Sequence, residues 1–206
     1  FEKTKLLNKE MSFNGNIDNF LDITFDKTFK IKSYVYKNSG KVNNLFFKLN
    51  KDIKNLFLNE GINNISLKDS DLSARYSSDK KNNINAKGSY SFNGKNYFNY
   101  DFNNNYFKNS SNISLDFEFA QKLNISFINY EKKDDTIANV FIKVNTKKDT
   151  INVQELQYKE NKNLIEIEKI KIKKNDLISF KKIKVKKFEK KDLKNDLIID
   201  FEKKIK

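Results

Sequence analysis

The residues of this chain whose types and spacing could support acid–base chemistry are two pairs of neighbouring carboxylates. They are Asp69 with Asp71 and Asp134 with Asp135. Both pairs lie in predicted turns, where Asp is favoured because its side chain hydrogen-bonds to nearby backbone groups. The chain has no His and no Cys, which excludes thiol nucleophiles, His general bases and most zinc sites. We therefore predict no catalytic residues, no metal site and no cofactor.

Positive charge is the second chemical feature, with a net charge of +14. Residues 159–206 hold 17 Lys against 9 acidic residues, which supplies +8 of that total. A β-surface with Lys and aromatic side chains can bind single strands, so a Lys-rich module that binds nucleic acid or another polyanion is one hypothesis. Arg, which fits phosphates and base edges best, occurs once, at Arg75. The surplus of Lys, Asn, Ile and Phe matches AT-rich codons, so we expect no specific nucleic-acid partner.

Alternating apolar side chains organise the stretch from Asn112 to Tyr158. A period of two residues indicates β-strands with one apolar face and one polar face. Short polar breaks at 121–122, 132–135 and 147–149 indicate hairpin turns between consecutive strands of one meander. The alternating residues are Ile113, Leu115, Phe117 and Phe119, then Leu123, Ile125 and Phe127, then Val140, Ile142 and Val144, and finally Ile151 and Val153.

The same pattern extends along the chain and predicts about fourteen short strands. We interpret 38–40 as a turn, Asn93-Gly94 as a hairpin turn and 103–112 as a polar loop. Residues 50–61 have helical spacing, with a pair of short strands as the alternative, and a sub-boundary is placed there. Because the sequence starts at Phe1 and contains no signal peptide or long apolar run, we expect 1–206 to be a single β-rich segment cut from a longer chain.

These patterns predict an all-β fold in which a long curved antiparallel meander sheet forms an open apolar groove, with at most one short helix. A sheet with one apolar face must cover that face. A closed sandwich of two sheets would produce the same alternation and is the structural alternative, with no ligand. The absence of Pro, the five Gly residues and the simple hairpin order favour the open groove.

The second half of the chain resembles a known family, with the likeness extending over about residues 62–206. The residues that carry it are the run from Ile128 to Lys133, the pattern Ile151-x-Val153-x-x-Leu156-x-Tyr158, the segment from Phe180 to Phe188, and Lys194-Asn195-Asp196. These features are similar to the β-rich repeats of AsmA-like bacterial envelope proteins, particularly the large TamB/YhdP-type members.

The resemblance implies a segment of a bridge-like lipid-transfer protein. Such proteins are anchored in the inner membrane by an N-terminal helix and cross the periplasm as a β-sheet curled into a groove. The apolar face of the groove shields acyl chains while phospholipids pass toward the outer membrane. For this chain, the resemblance implies phospholipid acyl chains as partners, a membrane anchor outside residues 1–206, and a groove lined by the alternating residues from Ile113 to Val153.

Overall fold

The fold is seen in a computed structural model, which describes residues 7–53, 60–133, 136–174, 176–189 and 192–200. The strands are β1 Leu7–Phe25, β2 Ile31–Ile53, β3 Ile62–Ser77, β4 Asn82–Phe92, β5 Phe98–Phe107, β6 Ser110–Phe119, β7 Leu123–Ile125, β8 Tyr130–Lys132, β9 Ala138–Lys147, β10 Thr150–Glu160, β11 Asn163–Lys173, β12 Asp176–Ser179, β13 Lys182–Glu189 and β14 Asp192–Asp200. A single 3-10 turn, Ser126–Ile128, is the helical element of the described residues.

Twelve of these strands form one antiparallel sheet in the order β1-β2-β3-β4-β5-β6-β9-β10-β11-β13-β14, with β12 paired to β11. Chain neighbours are sheet neighbours except where the short β7–β8 pair and β12 interrupt the path. The sheet is not closed, because β1 and β14 do not pair with each other. The predicted all-β antiparallel meander is therefore confirmed.

The hairpins turn through residues in the left-handed backbone region, which Gly and Asn adopt most easily. At the predicted Asn93-Gly94 turn, φ is 57° and 67°, respectively, as a type I′ turn requires, and this turn opens the five-residue connection between β4 and β5. Lys108 and Lys148 have φ values of 51° and 50° between β5 and β6 and between β9 and β10. The Asn93-Gly94 prediction and the predicted break at 147–149 are therefore confirmed.

The predicted turn at 38–40 is wrong, because these residues lie inside β2, which continues for 23 residues. The β1 backbone passes so close to position 40 of β2 that only Gly, which has no side chain, fits there. A Cβ on Gly40 would lie 2.0 Å from the Asn16 carbonyl oxygen. Here Gly permits close backbone approach within a sheet, a use that sequence alone does not distinguish from a turn.

The predicted polar loop at 103–112 is also wrong, since most of it belongs to β5 and β6. Cross-strand partners form a row of amide side chains on one face of the sheet: Asn83, Asn105, Asn112, Asn145 and Asn152. The Asn145 Nδ2 atom donates to the Asn112 Oδ1 atom at 2.6 Å. Pairing with neighbouring strands thus outweighs the low strand preference of Asn.

The stretch predicted to be helical, 50–61, is described only at its ends. Asn50 and Ile53 belong to the end of β2, and Ile62 begins β3. Residues 54–59 lie outside the described residues. Ile53 and Ile62 are nevertheless paired in register, so the described sheet continues across the place where a sub-boundary was expected.

The surface area is large for the mass of the chain. The accessible surface is 14,962 Å² for 24.4 kDa, whereas a compact monomer of this mass exposes about 10,000 Å². The excess follows from the topology, because the described residues contain one broad sheet and only a small two-stranded sheet besides it. The closed sandwich is therefore not the architecture of the described residues.

Candidate apolar binding face

Strand register aligns the apolar side chains into continuous rows that run across the strands. Antiparallel partners point to the same side of a sheet, so each row lies on one face, which we name the apolar face. The central row contains Leu72, Ala86, Phe102, Leu115, Ile142, Leu156, Ile167, Ile183 and Ile199. With neighbouring strands about 4.8 Å apart, these nine strands give a row of roughly 40 Å.

A second row lies beside the central one and holds much of the core. It consists of Tyr100, Phe117, Val140, Tyr158, Ile165, Val185 and Leu197. Val140, Tyr158, Ile165 and Val185 are buried, while the central-row residues Ile142, Ile167 and Ile183 are partly buried. The apolar face therefore combines a packed part with a part that solvent still reaches.

Most of the residues predicted to line a groove lie together on the apolar face. Ile113, Leu115, Phe117 and Phe119 come from β6, Val140, Ile142 and Val144 from β9, and Ile151 and Val153 from β10. Phe119 and Val140 are buried, Ile151 is exposed, and the other six are half-buried. The structure brings these nine residues onto three adjacent strands, as the alternation predicts.

Leu123, Ile125 and Phe127 do not form a strand of the large sheet, so the prediction of a meander strand there is wrong. Instead β6 pairs directly with β9, and the segment from Leu123 to Lys132, which we name the flap, forms the separate β7–β8 pair. Leu123, Ile125 and Ile128 pack against the core cluster. Phe127 lies in the 3-10 turn of the flap. The flap thus covers a part of the apolar face.

A buried hydrogen-bond network holds the flap against the sheet. The Tyr130 hydroxyl donates to the Glu160 carboxylate and lies 2.8 Å from the Tyr158 hydroxyl. Glu160 also accepts from Thr136 and from Asn163 Nδ2 at 3.2 Å. These donors offset the cost of burying a carboxylate. Burial, together with the hydrogen bond to Glu160, raises the pKa of Tyr130 far above its ordinary value.

Lys132 anchors the other end of the flap. Its side chain is fully buried, and its Nζ atom donates to the carbonyl oxygens of Ala120 at 2.6 Å and Lys133 at 2.8 Å. The same Nζ atom lies 5.8 Å from the centre of the Phe119 ring, within the range of a cation–π contact. The buried ammonium group thus links the backbone on both sides of the flap to the Phe119 ring of the apolar face.

On β10, the alternation predicted from the sequence ends at Val153 and leaves out two members of the rows, Leu156 and Tyr158. A β-bulge between Val153 and Glu155 shifts the register of β10 by one residue and so interrupts the period of two. The signal in the sequence is the three-residue spacing from Val153 to Leu156, which a single bulge converts into a shared face. The row members on β3, β4, β5, β11, β13 and β14 follow the simple alternation but were not assigned to the predicted groove.

Two lysines of β13 form ion pairs on the opposite face of the sheet. The Lys184 Nζ atom lies 3.1 Å from Glu166, and the Lys186 Nζ atom lies 3.8 Å from Asp196. Burial alone would raise the pKa of Glu166, but hydrogen bonds from Lys184 and Gln157 hold it below its ordinary value. The charges of Lys184 and Lys186 are therefore balanced by neighbouring carboxylates.

The carboxylate pair at 69–71 lies at an irregular place in β3. Asp69 has a φ of 47°, at a bulge in the pairing of β3 with β4, which fits the tolerance of Asp for this conformation. Asp134 and Asp135 lie outside the described residues. The described residues contain no cluster of carboxylates that could hold a metal ion, and none of their helices is long and apolar enough to cross a membrane.

No protein-family model, curated protein or solved structure matches this chain. The features of the chain that bear on its function are therefore the rows, the flap and the distribution of charge.

Proposed function

We propose that the apolar face binds hydrocarbon chains, and that the protein is a non-catalytic β-sheet segment that shields phospholipid acyl chains during transport between membranes. In this proposal it serves outer-membrane maintenance in the periplasm of a bacterial cell envelope, and a segment outside residues 1–206 anchors it to the inner membrane. The resemblance to AsmA-like proteins supports this setting.

The observation that carries the proposal is the central row, which crosses nine strands without a charged side chain. The row runs perpendicular to the strands, so an acyl chain lying along it keeps apolar contact over a long path. Each CH₂ group removed from water contributes about 0.8 kcal/mol. Such binding needs no specific polar contacts, and it permits a chain to slide because neighbouring positions are chemically alike.

Polyanion binding is the competing function, and the ion pairs of the opposite face count against it. A phosphate approaching Lys184 or Lys186 would have to displace the carboxylates of Glu166 or Asp196. Exposed aromatic side chains, on which bases could stack, are also needed near such lysines. Phe188 is half-buried, and Lys162 Nζ lies 5.9 Å from its ring centre.

Photo-crosslinking from adjacent positions on the two faces tests the proposal. A photoreactive residue replaces Ile142 or Leu156 on the apolar face, and Lys143 on the opposite face serves as the matched control. We expect phospholipid adducts at Ile142 and Leu156 and few at Lys143, because acyl chains contact only the apolar side. Adducts concentrated at Lys143, or absent from both apolar positions, would contradict the proposal.

A further inference from the structure

An open cleft of about 520 Å³ lies where the strand before the flap meets the β4–β5 hairpin. Its volume is within the range of about 300–1,000 Å³ that is typical of small-molecule sites. Aromatic side chains provide the apolar part of its lining: Tyr90, Phe92, Phe98 and Phe119. The polar part of the lining lies on the loop after β4, on the segment that leads into the flap, and at Glu60 just before β3.

The aromatic lining is a packed cluster that is continuous with the apolar face. The Tyr90 ring contacts those of Phe92 and Phe98, with ring centres 4.8 Å and 6.4 Å apart. It also lies 6.0 Å from the ring of Phe117, a member of the second row. A hydrocarbon chain in the cleft can therefore extend onto the apolar face without crossing a polar barrier.

The hairpin side of the cleft is fixed by hydrogen bonds. The Asn93 side chain donates to the Gly61 carbonyl at 2.9 Å and accepts from the Asn63 amide at 2.9 Å. The Ser91 hydroxyl donates to the Lys95 carbonyl at 2.9 Å. The Asn93 bonds attach the hairpin tip to the start of β3 and the Ser91 bond closes the tip on itself, so this side of the cleft is formed before any ligand binds.

The rim of the cleft carries two lysines and one carboxylate. Lys95 and Lys122 line the cleft and are exposed, and the Lys95 Nζ atom lies 2.5 Å from the Glu60 carboxylate. Among the described residues of the lining, lysines thus outnumber carboxylates by one above an aromatic floor. This combination fits an amphiphile that has an apolar tail and an anionic headgroup.

We propose that the cleft binds one phospholipid with an anionic headgroup, its acyl chain against Phe98 and Phe119 and its phosphate next to Lys122. The site rests on the proposed function, because it uses the apolar face as the continuation of the chain path. It adds a headgroup preference and a defined position, neither of which a uniform apolar face provides.

Labelling with photoactivatable lipids tests this site. Phosphatidylglycerol and phosphatidylcholine that carry the same diazirine-labelled acyl chain are presented in vesicles, and the adducts are mapped by mass spectrometry. We expect both lipids to label the apolar face, and phosphatidylglycerol to label the Phe98 and Phe119 peptides more strongly. Because an exposed ion pair contributes modestly, Lys122→Glu should lower that labelling about two- to fivefold. Lys108→Glu, on a different hairpin, is the matched control.

The outcomes separate the site from the proposed function. Labelling near Ile142 without labelling in the cleft would overturn the site and leave the proposed function standing. Equal cleft labelling by both lipids, unchanged by Lys122→Glu, would also overturn the site. Labelling confined to the cleft and dependent on Lys122 would support the site and contradict transport along the apolar face. No labelling of either region would contradict both.

Discussion

Replacing Gly40 with Ala provides a sharp test of the sheet, because the sequence and the structure assign this residue to different environments. In the turn expected from the sequence, an added methyl group would point to solvent. In the structure, Gly40 lies within β2 opposite Ile17 of β1. The added Cβ would meet the Asn16 carbonyl oxygen at 2.0 Å and the Ile17 Cα at 2.8 Å.

The expected cost follows from the atoms that would have to move. Both close contacts are with backbone, so the clash is relieved only if β1 shifts by about 1 Å and its hydrogen bonds to β2 are strained. Overpacking of this kind typically costs 1–3 kcal/mol, and we expect about 3 kcal/mol here. The lower chain entropy of Ala in the unfolded state offsets about 0.4–1 kcal/mol. The net loss is then about 2–2.5 kcal/mol.

Urea denaturation measures this loss. With a slope of about 2 kcal/mol per M, the midpoint of Gly40→Ala should fall by roughly 1 M. The matched control is Gly94→Asn in the β4–β5 turn, where a Cβ has open space and φ is +67°. Asn tolerates that conformation, so the control midpoint should change little. Equal midpoints for the wild type, Gly40→Ala and Gly94→Asn would refute the continuous β2 strand.

Two further predictions concern the buried tyrosines. Tyr130→Phe removes the hydroxyl that donates to Glu160, and we expect a loss of about 1–3 kcal/mol of stability, seen as faster amide hydrogen exchange in the flap. Tyr97→Phe, at an exposed ring, should leave the exchange unchanged, and equal effects would contradict the network. Burial is also the main cause that raises the pKa values of Tyr90, Tyr130 and Tyr158. Their contribution to stability is therefore complete below the unfolded pKa near 10 and is lost as the pH rises above it. Absorbance titration should show these hydroxyls ionising only with alkaline unfolding, and ionisation near pH 10 in the folded protein would contradict their burial.

Predictions from the sequence succeeded where a residue's own chemistry decides the local structure. Asn93 and Gly94 adopt positive φ readily, and the hairpin forms there. Alternation places Leu115, Ile142 and their neighbours on one face, because successive side chains of a strand point to opposite sides. Predictions failed where contact with a neighbouring strand determines the local structure. At Gly40, the close approach of β1 explains the glycine, and no local signal distinguishes that from a turn.

The flap shows the same limit in the candidate site. Leu123 and Ile125 alternate just as the residues of β6 and β9 do, so the sequence predicts one more meander strand. Their structures differ because of long-range strand pairing: β6 pairs directly with β9, and the flap packs on the apolar face instead of joining the large sheet. The bulge in β10 likewise breaks the period of two after Val153, so the alternation does not predict that Leu156 and Tyr158 lie on the apolar face.

The sequence by itself determined that this chain forms strands with one apolar face and that it lacks His and Cys chemistry. These properties depend on side-chain type and short spacing, which are local. Only the tertiary structure decided which strands are neighbours, that the apolar residues join into rows across nine strands, and that the flap covers part of them. Such properties depend on strand register and long-range packing, in which each residue's partner comes from a distant part of the chain.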